Sequence, residues 1–195
     1  MNNSDIANST PHVSVLYNQI ITALRPKSPG FYVDATIGAG GHAWGILEAS
    51  SPHGQLLGMD VDPLALELSL QRLNLFIDRI HLVHSSYTEL HSELSKLGWN
   101  SVDGIVLDLG ASSMQFDSPE RGFSFQHDGP LDMRFDPSQP TSADDIINQY
   151  SEVDLADLIW RYGEERNSRR IAHAIVQNRP LHSPRQLANL VSKVN

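Results

Sequence analysis

A glycine-rich turn followed by a helical pattern has the composition of a nucleotide-binding loop. Gly38, Gly40 and Gly41 fall within residues 36–42, directly after a short apolar run. Glycines let the backbone turn sharply and approach a ligand closely, and the start of the next helix presents N–H groups without partners. A plain tight turn has the same composition, so this pattern alone does not decide the function.

Asp60 strengthens the case for a nucleotide site. It ends the second apolar run, twenty positions after Gly40, where an acid in this architecture accepts hydrogen bonds from ribose hydroxyls. Turn, helix and acid together predict a cofactor that contains adenosine. A nicotinamide-dependent oxidoreductase stays open as an alternative, because Gly38, Gly40 and Ala43 also fit the dinucleotide pattern G-x-G-x-x-G/A.

Three more residues follow apolar runs and are candidates for the same site. Tyr87 comes after the third run, and its ring either lies against an adenine or packs in the core. Asp108 follows the fourth run, whose residues 105–107 we expect to be buried, and it is predicted to be functional at the tip of a central strand. Asp62, followed by a proline at the start of a helical pattern, is predicted to be a helix cap instead.

The elements that must position these residues alternate along the first half of the chain. Four short runs rich in Val, Ile and Leu are separated by segments in which apolar residues return every three or four positions. This alternation predicts a parallel β-sheet with helices on both faces. One more amphipathic helix is predicted over residues 13–24. The runs are centred near Val33, Leu57, Leu82 and Val106.

The second half has a different character, and we predict two domains, 1–116 and 117–195. Residues 117–140 are rich in Asp, Pro, Gly and Ser and are expected to form an ordered loop. Only helices are predicted after it, over residues 143–149, 153–162, 164–177 and 184–194. Ser183 before Pro184 is typical of a helix start.

Charge is distributed unevenly between the two halves. The chain has a net charge of −9, but seven basic residues against two acids give residues 161–195 a charge of +5. This segment is either a solvated helix face or a surface for an anion.

The lack of cysteine excludes disulfides and thiolate metal sites, and no apolar run approaches the roughly 20 residues that span a bilayer. With no signal peptide in the first residues, a soluble cytoplasmic protein is expected.

Several longer motifs resemble one bacterial family. They are His12 with Val15 and Leu16, residues 32–36 leading into 38–42, residues 103–110, residues 120–125, residues 128–134 and residues 162–165. The chain resembles, from His12 to about Val191, the S-adenosylmethionine-dependent methyltransferases that modify N4 of a cytidine in the decoding centre of 16S ribosomal RNA. The fold implied is a Rossmann-like α/β sheet with an all-helical inserted domain.

The resemblance implies a set of cofactor contacts. Gly40, Gly41 and His42 would hold S-adenosylmethionine near its methionyl part, and Asp60 would bind the ribose. Tyr87 stands where the family has Phe, and Asp108 and Gln115 also fall on cofactor positions. Asp108 and the turn with Ser112 are the candidate catalytic groups. The chain departs from the family at two further positions, with Ala111 where Val is usual and Phe135 where Met is usual, and neither departure removes a polar group. The resemblance implies no metal.

The resemblance also implies an RNA substrate, with 16S ribosomal RNA or the small ribosomal subunit as partner and no membrane partner; a homodimer stays open. In the loop 121–134, Phe123 and Phe125 are predicted to stack on bases, and Arg121 and Arg134 to contact phosphates. The alternative role of this loop is an inter-domain clamp. Arg169 and Arg170, together with Arg179, are the predicted contacts to the RNA backbone.

The length of the chain departs from the family, whose sheet has about seven strands where four are visible here. We therefore expect a truncated chain whose fourth strand becomes a sheet edge, and which is poorly soluble or inactive in isolation. Two other functions stay open: the NAD-dependent oxidoreductase and a non-catalytic RNA-binding module. The first lacks an evident hydride-site His or Tyr-Lys pair, and the second leaves Asp60 and the glycine turn unexplained.

Overall fold

The computed structural model describes residues 14–194 of the chain. His12 and Val13, which belong to the sequence predictions above, lie outside the described residues. The chain divides into two compact units, with the division between Leu109 and Gly110. The boundary between the two domains predicted from the sequence, 1–116 and 117–195, stays a prediction.

The first unit contains a parallel sheet, which confirms the predicted α/β fold. Within the described residues its strands are β1 (Phe31–Asp34), β2 (Gln55–Asp60), β3 (Ile80–His84) and β4 (Gly104–Val106). Their order is β3-β2-β1-β4, and every neighbouring pair is parallel. Because all strands run in the same direction, the turns that follow them lie at one edge of the sheet.

Helices cover both faces of this sheet. They are α1 (Tyr17–Leu24), α2 (Gly41–Ala49), α3 (Pro63–Arg72) and α4 (Leu90–Lys96). Two 3-10 segments lie at Asn74–Arg79, which is interrupted by a kink at Phe76, and at Tyr87–Glu89. Side chains of α1, α2 and α3 pack with Tyr32 and Leu56 on one face. Leu90 and Leu94 of α4 pack with Val33 and Leu57 on the other face. Alternate residues of β1 and β2 therefore enter two separate apolar layers, as the pleat of a strand requires.

Strand β4 lies at an edge of the sheet within the described residues, and it pairs only with β1. Val106 is buried, but Ile105 and Leu107 are 43% and 51% exposed. The expectation that residues 105–107 are all buried is therefore wrong for two of them, because no described strand covers the outer side of β4. The expected edge position of this strand is confirmed.

The second unit is helical in the residues that the structure covers. It contains α5 (Ser113–Asp117), a 3-10 turn (Pro119–Arg121), α6 (Ala143–Gln149), α7 (Glu152–Gly163), α8 (Ser168–Gln177) and α9 (Pro184–Val191). Its core consists of apolar side chains from α6, α7 and α8 and from the loops before α6 and α9. The buried members are Leu131, Ile147, Leu155, Ile171, Ala172, Ile175 and Leu181.

Serine side chains fix the starts of these helices. The hydroxyls of Ser142 and Ser183 accept hydrogen bonds from backbone N–H groups three residues later, which confirms the predicted cap at Ser183. Helix α8 begins four residues later than predicted, because Glu164 adopts a left-handed conformation that ends α7.

No described helix is long and apolar enough to cross a membrane.

Candidate functional site

The glycine turn connects β1 to α2 at the carboxyl edge of the sheet. Gly40 is the N-cap of α2 with φ at +78°, and a Cβ there would meet Leu73 at 3.1 Å. A side chain at this position would be strained and crowded, so the turn needs glycine. As at the start of any α-helix, the N–H groups of Gly41 and His42 have no intrahelical acceptor. At Gly38 an added Cβ would make only an ordinary contact, 3.9 Å from the Thr36 carbonyl oxygen, so the turn is less crowded there than at Gly40.

Asp60 lies beside this turn and is fixed by backbone donors. The Gly38 N–H donates to its Oδ2 at 2.9 Å, and the Asp62 N–H donates to its Oδ1 at 3.0 Å. Burial raises the pKa of Asp60, partly offset by these amides. Each carboxylate oxygen has further lone pairs after these bonds, so Asp60 can still accept hydrogen bonds from a diol.

Asp34, at the end of β1, is the residue that the sequence reasoning did not single out. Its side chain is buried, and its Oδ2 has no hydrogen-bond partner in the described structure. Burial raises its pKa to about 7, and the nearby charges of Asp60 and Asp108 act in the same direction, although the Thr36 amide lowers it. A buried carboxyl with an unsatisfied oxygen is a feature that a cationic ligand would complete.

Asp108 and Tyr87 lie in turns after β4 and β3. The Asp108 N–H donates to the Thr36 hydroxyl at 2.8 Å, so the turn after β4 is attached to the turn after β1. The Asp108 side chain is exposed. Tyr87 begins a 3-10 turn and is 47% exposed, which argues against the core-packing alternative for its ring.

The His42 side chain is engaged with the segment before β1. Its Nε2 and the Val15 carbonyl oxygen are 3.0 Å apart, and its ring is stacked on Tyr17 with centroids 6.3 Å apart. An added Cβ at Gly41 would collide with the Ser14 hydroxyl. A ligand contact at residues 41 and 42 would therefore come from the backbone and not from the imidazole.

Asp62 is the cap of α3, since its Oδ1 accepts from the Leu64 N–H at 3.1 Å, as predicted.

Ser112 and Gln115 belong to the second unit and form a capping box at the start of α5. The Gln115 side-chain oxygen accepts from the Ser112 N–H at 3.0 Å, and the Ser112 hydroxyl accepts from the Gln115 N–H. Gln115 is buried. Both residues thus have a local role, and their predicted catalytic and cofactor roles stay proposals.

The loop 121–134 uses most of its predicted RNA-contacting groups internally. The Arg121 guanidinium donates to the carbonyls of Arg134 and Phe135, and Arg134 forms a two-pronged ion pair with Asp132. The Phe123 ring packs on Phe135 with centroids 5.1 Å apart. Among the four predicted residues, Phe125 is the most available, since it is 63% exposed. RNA contact by the other three would compete with bonds that hold the loop.

The predicted backbone-contacting arginines differ in their surroundings. Arg179 donates to the carbonyls of Ile147 and Tyr150 at 2.6 and 2.7 Å, so it fixes the end of α6. Arg169 and Arg170, in the first turn of α8, are exposed, and their side chains form no hydrogen bond or ion pair with another described residue. These two are the ones that remain available for an anion.

In residues 14–194 no group of three or more His, Cys, Asp or Glu side chains could hold a metal ion.

A parallel sheet covered on both faces, with a glycine turn and carboxylates at its carboxyl edge, defines this chain as a Rossmann-like α/β protein. The family model described as the MraW methylase family matches residues 9–195. The chain therefore belongs to the MraW methylase family, which confirms the resemblance drawn from its motifs.

Relatives with known names agree with this assignment. A protein of Geotalea uraniireducens named ribosomal RNA small subunit methyltransferase H is 46% identical over 183 residues, covering 92% of this chain and 59% of the relative. A protein of the same name from Dehalococcoides mccartyi is 48% identical, covering 94% of this chain and 52% of the relative. The chain thus spans little more than half the length of these relatives.

Among solved structures, the C-terminal domain of precorrin-6Y C5,15-methyltransferase from Rhodobacter capsulatus overlaps 52% of this chain and 52% of its own length. The identity is 14% and the TM-score is 0.42. A likeness this partial supports no statement about function.

Proposed function

We propose that the protein binds S-adenosylmethionine at the carboxyl edge of its sheet and transfers the methyl group to N4 of a cytidine in the decoding region of 16S ribosomal RNA. The observation that carries the proposal is the Asp60 carboxylate, fixed by the Gly38 and Asp62 amides directly beside the Gly40 turn. Membership of the MraW methylase family and the names of the relatives support it.

The residues at this edge fit the chemical groups of the cofactor. Asp60 would accept hydrogen bonds from the two ribose hydroxyls, and the backbone of Gly40, Gly41 and His42 would contact the methionyl part. The exposed Tyr87 ring offers a surface for the adenine. The unsatisfied oxygen of Asp34 offers an acceptor to a cationic group. Gln115 is proposed as a further contact on the resemblance alone.

When bound, the cofactor supplies a methyl group on a positively charged sulfur. The protein must then align the acceptor amine and exclude water, and such alignment supplies roughly 7 to 11 kcal/mol. The lone pair of a cytosine amine is shared with the ring, so acceptors beside it favour its nucleophilic form and stabilise the developing charge. We assign this role to Asp108 and to the turn that contains Ser112. The amine nitrogen becomes acidic once it has accepted the methyl group, so its proton can pass to water without a strong base.

The binding test of the proposal is a calorimetric titration of the chain with S-adenosylmethionine and, separately, with NAD. We expect saturable binding of the first and none of the second. Preferential binding of NAD would support the oxidoreductase, and binding of neither, with RNA binding retained, would support a non-catalytic RNA-binding module. Action in the cytoplasm and formation of a homodimer are part of the proposal and are not required by this test.

Arg169 and Arg170 are proposed to contact the RNA backbone, and the salt dependence of binding tests this. Each lost phosphate contact to single-stranded RNA should reduce the slope of log affinity against log salt by about 0.7. The Arg169→Gln, Arg170→Gln double variant should therefore have a flatter slope than the parent when binding is measured by fluorescence anisotropy. Arg161→Gln is the matched control, since Arg161 is paired with Asp157 at 2.7 Å. Equal slopes in all three proteins would refute the assignment.

A further inference from the structure

A groove along α7 and the start of α8 contains Arg169, which is proposed above to contact the RNA backbone, but the rest of its lining has no role in the functions described so far. Its volume is about 700 Å³, which lies within the range of about 300–1,000 Å³ that is usual for ligand pockets. All of its lining belongs to the second unit. The lining residues are Glu152, Val153, Ala156, Asp157, Trp160, Arg166, Ser168 and Arg169.

Helix α7 gives the groove an apolar wall. Val153, Ala156 and Trp160 are spaced at i, i+3 and i+7 and therefore share one face of the helix. Leu155, by contrast, is buried in the core of the unit. Val153 is 77% exposed and Trp160 is 54% exposed. Among residues 14–194 no aromatic ring packs against the Trp160 indole, so one flat apolar surface is available to a ligand.

Two arginines also line the groove. Arg166 and Arg169 are exposed, and neither side chain forms a hydrogen bond or an ion pair with another described residue. Arg169 lies in the first turn of α8, where the helix dipole disfavours a positive charge. It is therefore not positioned to stabilise the helix. Two guanidinium groups without partners beside an exposed indole are complementary to an anion attached to a flat ring.

The acids in the groove already have side-chain partners. The Glu152 carboxylate lies 3.2 Å from His173 Nδ1, and Asp157 accepts from Arg161 at 2.7 Å. Their remaining lone pairs can accept hydrogen bonds from the amino groups of a base or from a 2′-hydroxyl. The groove thus combines an aromatic face, two cations and two acceptors.

We propose that this groove binds one unpaired nucleotide of RNA, with the base stacked on Trp160 and a phosphate held by Arg166 and Arg169. This inference rests on the proposed function, since it assumes that the protein binds RNA. An unpaired nucleotide fits better than a duplex, because a base in a duplex has both faces covered by its neighbours. A phosphate accounts for the two guanidinium groups, which an apolar peptide would leave without partners.

The test compares Trp160→Ala, Trp160→Phe and Tyr162→Ala in the 195-residue chain. Tyr162 is the matched control, since it is an aromatic on the same helix, 80% exposed and outside the groove lining. Stacking on an aromatic ring is worth enough that Trp160→Ala should weaken binding of a short single-stranded RNA about tenfold. Trp160→Phe should keep most of the affinity, and Tyr162→Ala all of it. A blunt duplex of the same sequence should bind equally to every variant.

A spectroscopic readout separates stacking from a structural effect. Trp44 and Trp99 are partly buried, whereas Trp160 is 54% exposed, so quenching of tryptophan fluorescence by single-stranded RNA should disappear in Trp160→Ala. If Trp160→Ala does not fold, the Arg166→Gln, Arg169→Gln double variant replaces it and should show at least a tenfold loss for the single strand. Circular dichroism checks the fold of each variant.

The outcomes distinguish failure of the groove from failure of the function. If the parent binds single-stranded RNA and the Trp160 variants bind it equally well, the groove proposal is wrong and the proposed function stands. If the Trp160 variants change only the thermal stability or the oligomeric state, the groove is covered by protein and the proposal is wrong. If the parent binds S-adenosylmethionine but no RNA, the RNA part of the proposed function fails, and the groove proposal fails with it.

Discussion

Asp34→Asn should gain stability relative to the parent chain by about 4 kcal/mol as the pH rises from about 3 to about 8, and the difference should stay constant above that. Burial raises the pKa of Asp34 to about 7 from an ordinary value of 3.8. Between these two values the folded chain keeps the Asp34 proton that the unfolded chain loses. The folded state then binds more protons, so raising the pH favours unfolding of the parent, and asparagine removes this dependence.

Urea denaturation at a series of pH values measures this effect. The control is Asp78→Asn, which replaces an exposed carboxylate in the same unit and should follow the parent curve. A constant offset between the parent and Asp34→Asn is allowed, since the asparagine amide has its own burial penalty. Parallel pH profiles for the parent and Asp34→Asn would show that Asp34 titrates normally and would remove the physical reason for a cation beside it.

Asp60→Ala should lower the affinity for S-adenosylmethionine about 100-fold or more. The variant loses two hydrogen bonds from hydroxyls to a charged acceptor, each worth about 1.5–3 kcal/mol. It also releases the Gly38 amide, which Asp60 holds at 2.9 Å. Isothermal calorimetry gives the affinity, and thermal melting shows whether the variant is folded. Asp60→Asn, which keeps one acceptor oxygen, should have an intermediate affinity.

Asp62→Asn is the matched control for this experiment. Asparagine is as good a helix cap as aspartate, so the bond from the Leu64 N–H to residue 62 should persist. Its affinity for the cofactor should equal that of the parent. If Asp60→Ala were folded and bound the cofactor as tightly as the parent, the ribose would have to be held elsewhere, and the assignment of this edge as the site would be abandoned.

The parallel sheet and most helices were predictable because their signals are local. Runs near Val33, Leu57, Leu82 and Val106 became the four strands, and the Asp62 and Ser183 caps begin α3 and α9. Exposure of Ile105 was not predictable, because an apolar strand has the same sequence whether a neighbour covers it or not. The late start of α8 depends on the left-handed Glu164, for which the sequence carries no glycine signal.

The candidate site was predictable in its outline and not in its detail. The spacing of Gly40 and Asp60 indicated that both lie at one edge, but only the coordinates show that Asp34 keeps an unsatisfied oxygen there. Charge alone did not separate Arg169 from Arg179, since the difference lies in the carbonyls that surround Arg179. Trp160 was missed because an aromatic at helical spacing is usually part of a core.

The position of β4 has a consequence for how the site moves. A strand of three residues with one described neighbour has few hydrogen bonds to break, so it should open locally at a much lower free energy than β1, which has partners on both sides. Its amides should therefore exchange with deuterium much sooner than those of β1. Asp108 lies two residues after the end of β4 and is attached to the glycine turn through the Thr36 hydroxyl. Each such opening would therefore also release the proposed methyl-transfer group.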